Sequence, residues 1–104
     1  MISVRFEPEA HDEFDAAVDW HAARNQFVAL RFIDAVQEAV EAVLANPEAW
    51  PNAPHVEPEL GVRRHLLRKF PYGLVYMLIA DEVRVLAIAH CRRHPVYWKQ
   101  RSTR

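Results

Sequence analysis

The sequence contains one cysteine, Cys91, among 104 residues, so it has no internal disulfide, and it is compatible with a reducing compartment. No apolar run approaches the ~20 residues that a membrane-spanning helix requires. The opening MISVRFEPEA lacks the basic and then apolar build of a secretion signal. These absences lead to the expectation of a cytoplasmic protein with no membrane contact. Internal repeats and low-complexity tracts are also missing, and a chain of this length holds one domain with one hydrophobic core, here spanning residues 1–104.

Charge of one sign is scarce in each half. Residues 1–60 carry only Arg5, Arg24 and Arg31 against twelve acids, whereas residues 61–104 carry only Asp81 and Glu82 against ten bases. The net charge of −1 therefore conceals about −9 on one side and +8 on the other. Such asymmetry points to an anionic partner for the basic half, or to neutralisation of acidic helices by basic strands within the fold. Arginine outnumbers lysine eight to two in that half, and guanidinium makes the planar bidentate contacts that carboxylates and phosphates accept.

The stretch from Val62 to Trp98 organises the rest. Tyr72 to Ala80 is uncharged and rich in β-branched and aromatic residues, which suits a central strand. Val83 to Ala89 alternates, placing Val83, Val85, Ala87 and Ala89 on one face and Arg84, Leu86 and Ile88 on the other. Asp81-Glu82 stands between the two runs at hairpin distance. Val62, Leu66 and Phe70 precede them, interleaved with Arg64 and Arg68, and Pro71 closes that run. The reading is a three-stranded antiparallel meander.

Upstream, Ile2, Val4 and Phe6 alternate with polar residues, which predicts a short edge strand. Pro8 suits the first position of a helix that runs to about Arg24, with Glu7, Glu9, Asp12 and Glu13 placed where the helix dipole favours acids. Asn25 breaks it. A second helix follows from about Gln26 to Ala45, with Ala29, Phe32, Ile33, Val36, Ala39, Val40 and Val43 on one face, until Asn46-Pro47 stops it. Residues 46–61 hold four prolines and Trp50 and read as an ordered irregular crossing. After Trp98 the polar tail KQRSTR is expected to fray. The predicted class is α+β, in the order β-α-α-β-β-β, with a helical hairpin laid on an antiparallel sheet.

That order, with Val62-Arg63-Arg64, FPYGLVY at 70–76, Val85-Leu86-Ala87 and HCRRHPVYW at 90–98, resembles the RelE/ParE toxin superfamily, and the ParE branch in particular. The resemblance covers nearly the whole chain. It implies the toxin of a type II toxin-antitoxin pair, of the kind also called plasmid stabilisation proteins. Such a toxin is bound by a cognate antitoxin and reaches DNA only through their complex. It also implies DNA gyrase as target for a ParE-like toxin, or messenger RNA on the ribosome for a RelE-like endoribonuclease. A third reading is a toxin-fold subunit without toxicity.

Fold does not decide between these. RNA cleavage needs a base, an acid and cations for the phosphorane charge. Among strand residues the candidates for it are His65, His90, His94 and Tyr97 with several arginines, and His90, Arg93 and Tyr97 are the set expected to matter if the chain is a nuclease. No carboxylate is expected there. His90 equally reads as a structural histidine that holds the C-terminal segment. Arg63, Arg64, Arg68, Lys69, Arg92 and Arg93, with Trp98, are the residues expected to meet an antitoxin or target; the alternative is a solvated, ion-paired face for the cations and a core or groove-lining place for Trp98. Cys91 reads as a small filler. His90, Cys91 and His94 lack a fourth ligand, so no metal and no cofactor is expected.

Overall fold

A computed structural model describes residues 1–104. Strand β1 is Ser3–Phe6, and helix α1, Pro8–Ala22, starts with proline at a position whose N–H would have no partner. Helix α2 is Gln26–Ala45. Its cap is Asn25, whose Oδ1 accepts the Phe27 N–H at 2.9 Å, while α1 has already ended on Ala23 as its own C-terminal cap. The two helices fold back on each other. Strands β2 (Val62–Leu66), β3 (Tyr72–Ile79) and β4 (Glu82–His90) complete the chain's sheet. No helix is long and apolar enough to cross a membrane.

The sheet order is β1-β4-β3-β2. The meander is antiparallel as expected, but β1 pairs with β4 in parallel, with Ser3 opposite Glu82 and Phe6 opposite Val85, so the sheet is mixed. A parallel pair needs a long crossover, and the helical hairpin supplies one. The β3–β4 turn also differs by one residue from expectation. Ile79 pairs with Glu82, so Ala80-Asp81 forms the loop, and Ala80 takes a left-handed φ of 54°.

One face of the sheet packs on the helices. Phe32 is its centre, with ring centroids of Phe14, His21, Phe70 and Tyr72 at 4.9–6.1 Å. Truncating such a fully buried aromatic to alanine costs about 3–5 kcal/mol. Tyr76 belongs to the same core and donates its hydroxyl proton to the Pro47 carbonyl at 2.6 Å, while burial pushes its phenol up to about 12. The other face is not open to water. Ala53, Val62, Val75, Leu86, Ala87 and Trp98 form a second, smaller core beneath the crossing segment and the C-terminal residues. The crossing segment also seals the outer edge of β2, where the Ala53 N–H donates to Val62 and the Arg64 N–H donates to Pro51.

Two expectations fail, each for its own reason. Val75 pairs with Ala87 and Tyr76 with Val85, which leaves Leu86 unpaired in a β-bulge. The bulge inverts the alternation of β4 halfway along. Val83, Val85 and Ile88 therefore join the helical core, while Leu86 and Ala87 join the second core, in place of the simple odd and even faces. The tail also does not fray. Lys99–Thr103 forms a 3-10 turn that buries Ser102, whose hydroxyl donates to the Lys99 carbonyl at 2.6 Å.

Candidate functional site

Strand β1 is too short to flank all of β4. It ends at Phe6, the Glu7 N–H donates to Val85 at 2.9 Å, and α1 then turns across the sheet. Beyond that point the edge of β4 is closed by side chains. Glu13 Oε1 accepts the Ile88 N–H at 3.1 Å, and Arg101 Nη1 donates to the Leu86 carbonyl at 2.9 Å. The two closing groups pair with each other at 3.1 Å, and both side chains are largely buried. Arg93 joins them, with Nη1 at 3.3 Å from Glu13 Oε2.

Tyr97 packs against this cluster. The Arg93 guanidinium lies 3.6 Å from its ring centroid and that of Arg101 lies 5.2 Å away. Its hydroxyl is shielded from solvent and has no hydrogen-bond partner. Burial, reinforced by the Glu13 carboxylate, pushes the phenol up. His90 ends β4, where its Nδ1 accepts the Arg92 N–H at 3.0 Å and its carbonyl accepts the Arg93 N–H at 3.0 Å. His94 repeats the device with the Val96 N–H at 3.4 Å. Two imidazoles thus shape the turn that leads into Tyr97 and Trp98.

A cleft lies on each side of this turn, and His90 and Arg93 line both. The first, about 480 Å³, is walled by Glu13, Trp20, His21 and Tyr72, between α1 and the end of the sheet. Trp20 is half exposed there and carries the Arg24 guanidinium 3.5 Å from its ring centroid. Burial and nearby Arg24 lower the His21 pKa, and its shielded Nε2 has no partner. The second cleft, about 360 Å³, opens on the opposite face of the sheet and is walled by His55, Arg64, His94 and Tyr97 over Val75 and Trp98.

The structure thus gathers His90, Arg93 and Tyr97 at one place. It disperses the residues expected to bind a partner. Arg63 donates to the Trp50 carbonyl and is committed to the crossing segment. Arg64 stands on β2 in the second cleft without an ion pair, its stem packed over Gly73, where an added Cβ would lie 2.9 Å from Arg64 Cδ. Arg68 and Lys69 project from the β2–β3 turn, Lys69 with a left-handed φ of 66°, beside Arg31, Asp34 and Glu38 of α2. Arg92 is exposed. Trp98, expected either to meet a partner or to sit in the core, takes the core place at 1% exposure and presents no surface to a partner.

Two residues of the site were missed. Glu13 was read only as a dipole-favoured acid of α1, and the expectation that no carboxylate reaches the sheet is wrong because α1 delivers this one. Arg101 was assigned to a frayed tail. The available signal was spacing: Glu13 follows Glu9 by one helical turn, and both acids pair with tail arginines, Glu9 with Arg104 and Glu13 with Arg101.

Comparison with known proteins agrees with this architecture. No curated protein sequence matches the chain. Among solved structures, a chain of the chromosomal ParDE toxin-antitoxin system from P. aeruginosa superposes with a TM-score of 0.72 at 22% identity, over 86% of this chain and 96% of that one. At that identity the likeness concerns the fold. The sequence model of the ParE toxin of the type II toxin-antitoxin system parDE matches residues 4–95. The chain, with its helical hairpin on a four-stranded mixed sheet, belongs to the ParE toxin family of type II toxin-antitoxin systems.

Proposed function

We propose that this ParE-family chain arrests growth by binding DNA gyrase, that a cognate antitoxin neutralises it, and that it meets DNA only through that complex. The observation that supports binding over RNA cleavage is the state of the groups gathered around Tyr97, which are either engaged in structural bonds or shielded from solvent. His90 Nδ1 is occupied by a backbone N–H, the Tyr97 phenol is shielded and its pKa raised, and the Glu13 oxygens are taken by Ile88, Arg93 and Arg101. A general base needs a free lone pair within reach of its proton. His90 Nδ1 and the Glu13 oxygens offer none without giving up a structural bond, and the Tyr97 phenol is shielded from solvent.

What remains free suits a protein partner. Arg68, Lys69 and Arg92 are exposed cations, and Trp20, Phe27 and Leu30 are exposed apolar side chains on the helical hairpin. An antitoxin segment carrying acids and apolar side chains would engage both kinds.

The test is a supercoiling assay with purified toxin, gyrase and relaxed plasmid, with and without antitoxin. Loss of supercoiling that antitoxin reverses is expected. Tyr97→Phe should retain that inhibition within about threefold, since the hydroxyl is shielded from solvent and from any incoming partner. A toxin that leaves gyrase untouched at large molar excess, or whose growth arrest vanishes on Tyr97→Phe with the fold intact, refutes the reading.

A further inference from the structure

We infer that the second cleft is a phosphate-binding site. Its polar lining consists of His55, Arg64, His90, Cys91, Arg93, His94 and Tyr97, with no carboxylate among the lining residues. Three independent elements bring these groups together: the crossing segment supplies His55, β2 supplies Arg64, and the turn after β4 supplies the rest. Elsewhere on the molecule several cations are ion-paired, and those that are not are either exposed, as Arg24, Arg31, Arg68, Lys69 and Arg92 are, or, like Arg63, hydrogen-bonded to a carbonyl. Arg5 meets Glu7 and Glu82, Arg84 meets Glu7, Lys99 meets Glu57, and Arg104 meets Glu9. Arg64 is different, because it is half-buried, its stem is fixed over Gly73, and it makes no ion pair.

Direction chooses phosphate over carboxylate. A carboxylate has two oxygens in one plane, and one guanidinium satisfies both. Here Arg64, His55 and His94 line the cleft from three separate segments, so a ligand is met from more than one side. A tetrahedral phosphate presents three or four acceptor oxygens in different directions. The two histidyl Nδ1 atoms engaged by backbone N–H groups leave Nε2 of His90 and His94 as the N–H donors. Nδ1 of His90 and His94 is therefore taken and does not serve as a base toward a phosphate ester. Free phosphate and the monoester of a nucleotide share this chemistry.

The test is NMR titration of the full chain with inorganic phosphate and, separately, with a nucleoside monophosphate and the corresponding nucleoside. Saturable shifts confined to residues around Arg64, His55 and His94 are expected with phosphate and with the monophosphate. Tighter binding of the monophosphate assigns the nucleotide as source, and equal binding assigns the free anion. Arg64→Met keeps the packed stem and should weaken binding at least tenfold, whereas Arg68→Met, outside the cleft, should change it less than twofold. Gly73→Ala, which displaces the Arg64 stem, should weaken it as well. The proposal is overturned if phosphate produces no saturable shift, if the nucleoside binds as well as its monophosphate, or if Arg64→Met and Arg68→Met weaken binding equally. None of these outcomes bears on gyrase inhibition, which the supercoiling assay reads separately.

Discussion

Glu13 shows how much one side chain carries when it stands in for backbone. It accepts the N–H that a longer β1 would have taken, and it compensates two arginines at once. Removing it leaves a buried N–H unpaired and strands the charge of Arg101, so Glu13→Ala should cost about 3–5 kcal/mol. Glu13→Gln keeps an acceptor for Ile88 and should cost roughly half as much. Denaturant unfolding of the three proteins checks both values, and equal losses for the two variants would mean that only the charge matters. Glu9 makes a pH-dependent contact on the surface. Its hydrogen bond from Arg104 holds the carboxyl down at about 2, from an ordinary value of 4.5. A depressed carboxylate stabilises above its unfolded pKa and loses that contribution as pH falls through its folded one. The difference in melting temperature between wild type and Glu9→Gln should therefore be constant above about pH 5 and vanish between 4.5 and 2. Both groups are exposed, so the difference should be small and should shrink in salt.

At the level of elements, Ala80 is the weak point of the sheet. It occupies a left-handed conformation that glycine enters freely, in a two-residue hairpin loop that ordinarily selects for glycine or asparagine. Ala80→Gly should stabilise the domain by about 0.5 kcal/mol, the relief of backbone strain exceeding the added entropy of the unfolded chain. A loss of stability would show that Ala80 packs against something its exposure conceals. The helices, the meander and the edge position of β1 were legible because proline, asparagine and hydrophobic periodicity are local signals. Pro8, Asn25 and Asn46-Pro47 bound the helices to within two residues. The inverted second half of β4 was illegible. Leu86 bulges because of how Val75 and Tyr76 sit opposite it, and nothing within LAIAH records that. The tail was misread for a related reason: KQRSTR is polar throughout, and its order comes from Glu9, Glu13 and Leu86, residues far away in sequence. The site was half legible. The cluster of His90, Arg93 and Tyr97 follows from their closeness in the chain, while the carboxylate that neutralises it arrives from α1.

On the scale of the whole molecule, the acidic first half and the basic second half are not merely adjacent. They are stitched together by ion pairs from α1 to the tail, which explains part of the charge asymmetry as internal neutralisation. The lining of the second cleft holds no carboxylate, so that face of the sheet offers cations an anionic partner would approach.

The parallel pairing of β1 with β4 has a kinetic meaning. Ser3 and Glu82 become neighbours only after 78 intervening residues have been organised, whereas the β3–β4 hairpin closes over two. Loop entropy makes the first of these the costlier closure by about 3 kcal/mol, so it is expected late, after the transition state has formed around the meander and the helices. Val4 would then have a φ-value near zero: Val4→Ala should accelerate unfolding and leave the refolding rate unchanged in stopped-flow chevrons. Slower refolding in that variant would place β1 in the nucleus. Until β1 arrives, the first half of β4 exposes unpaired backbone groups, and in that interval a newly made toxin chain is most easily joined by another strand, whether its own, a second molecule's or a partner's.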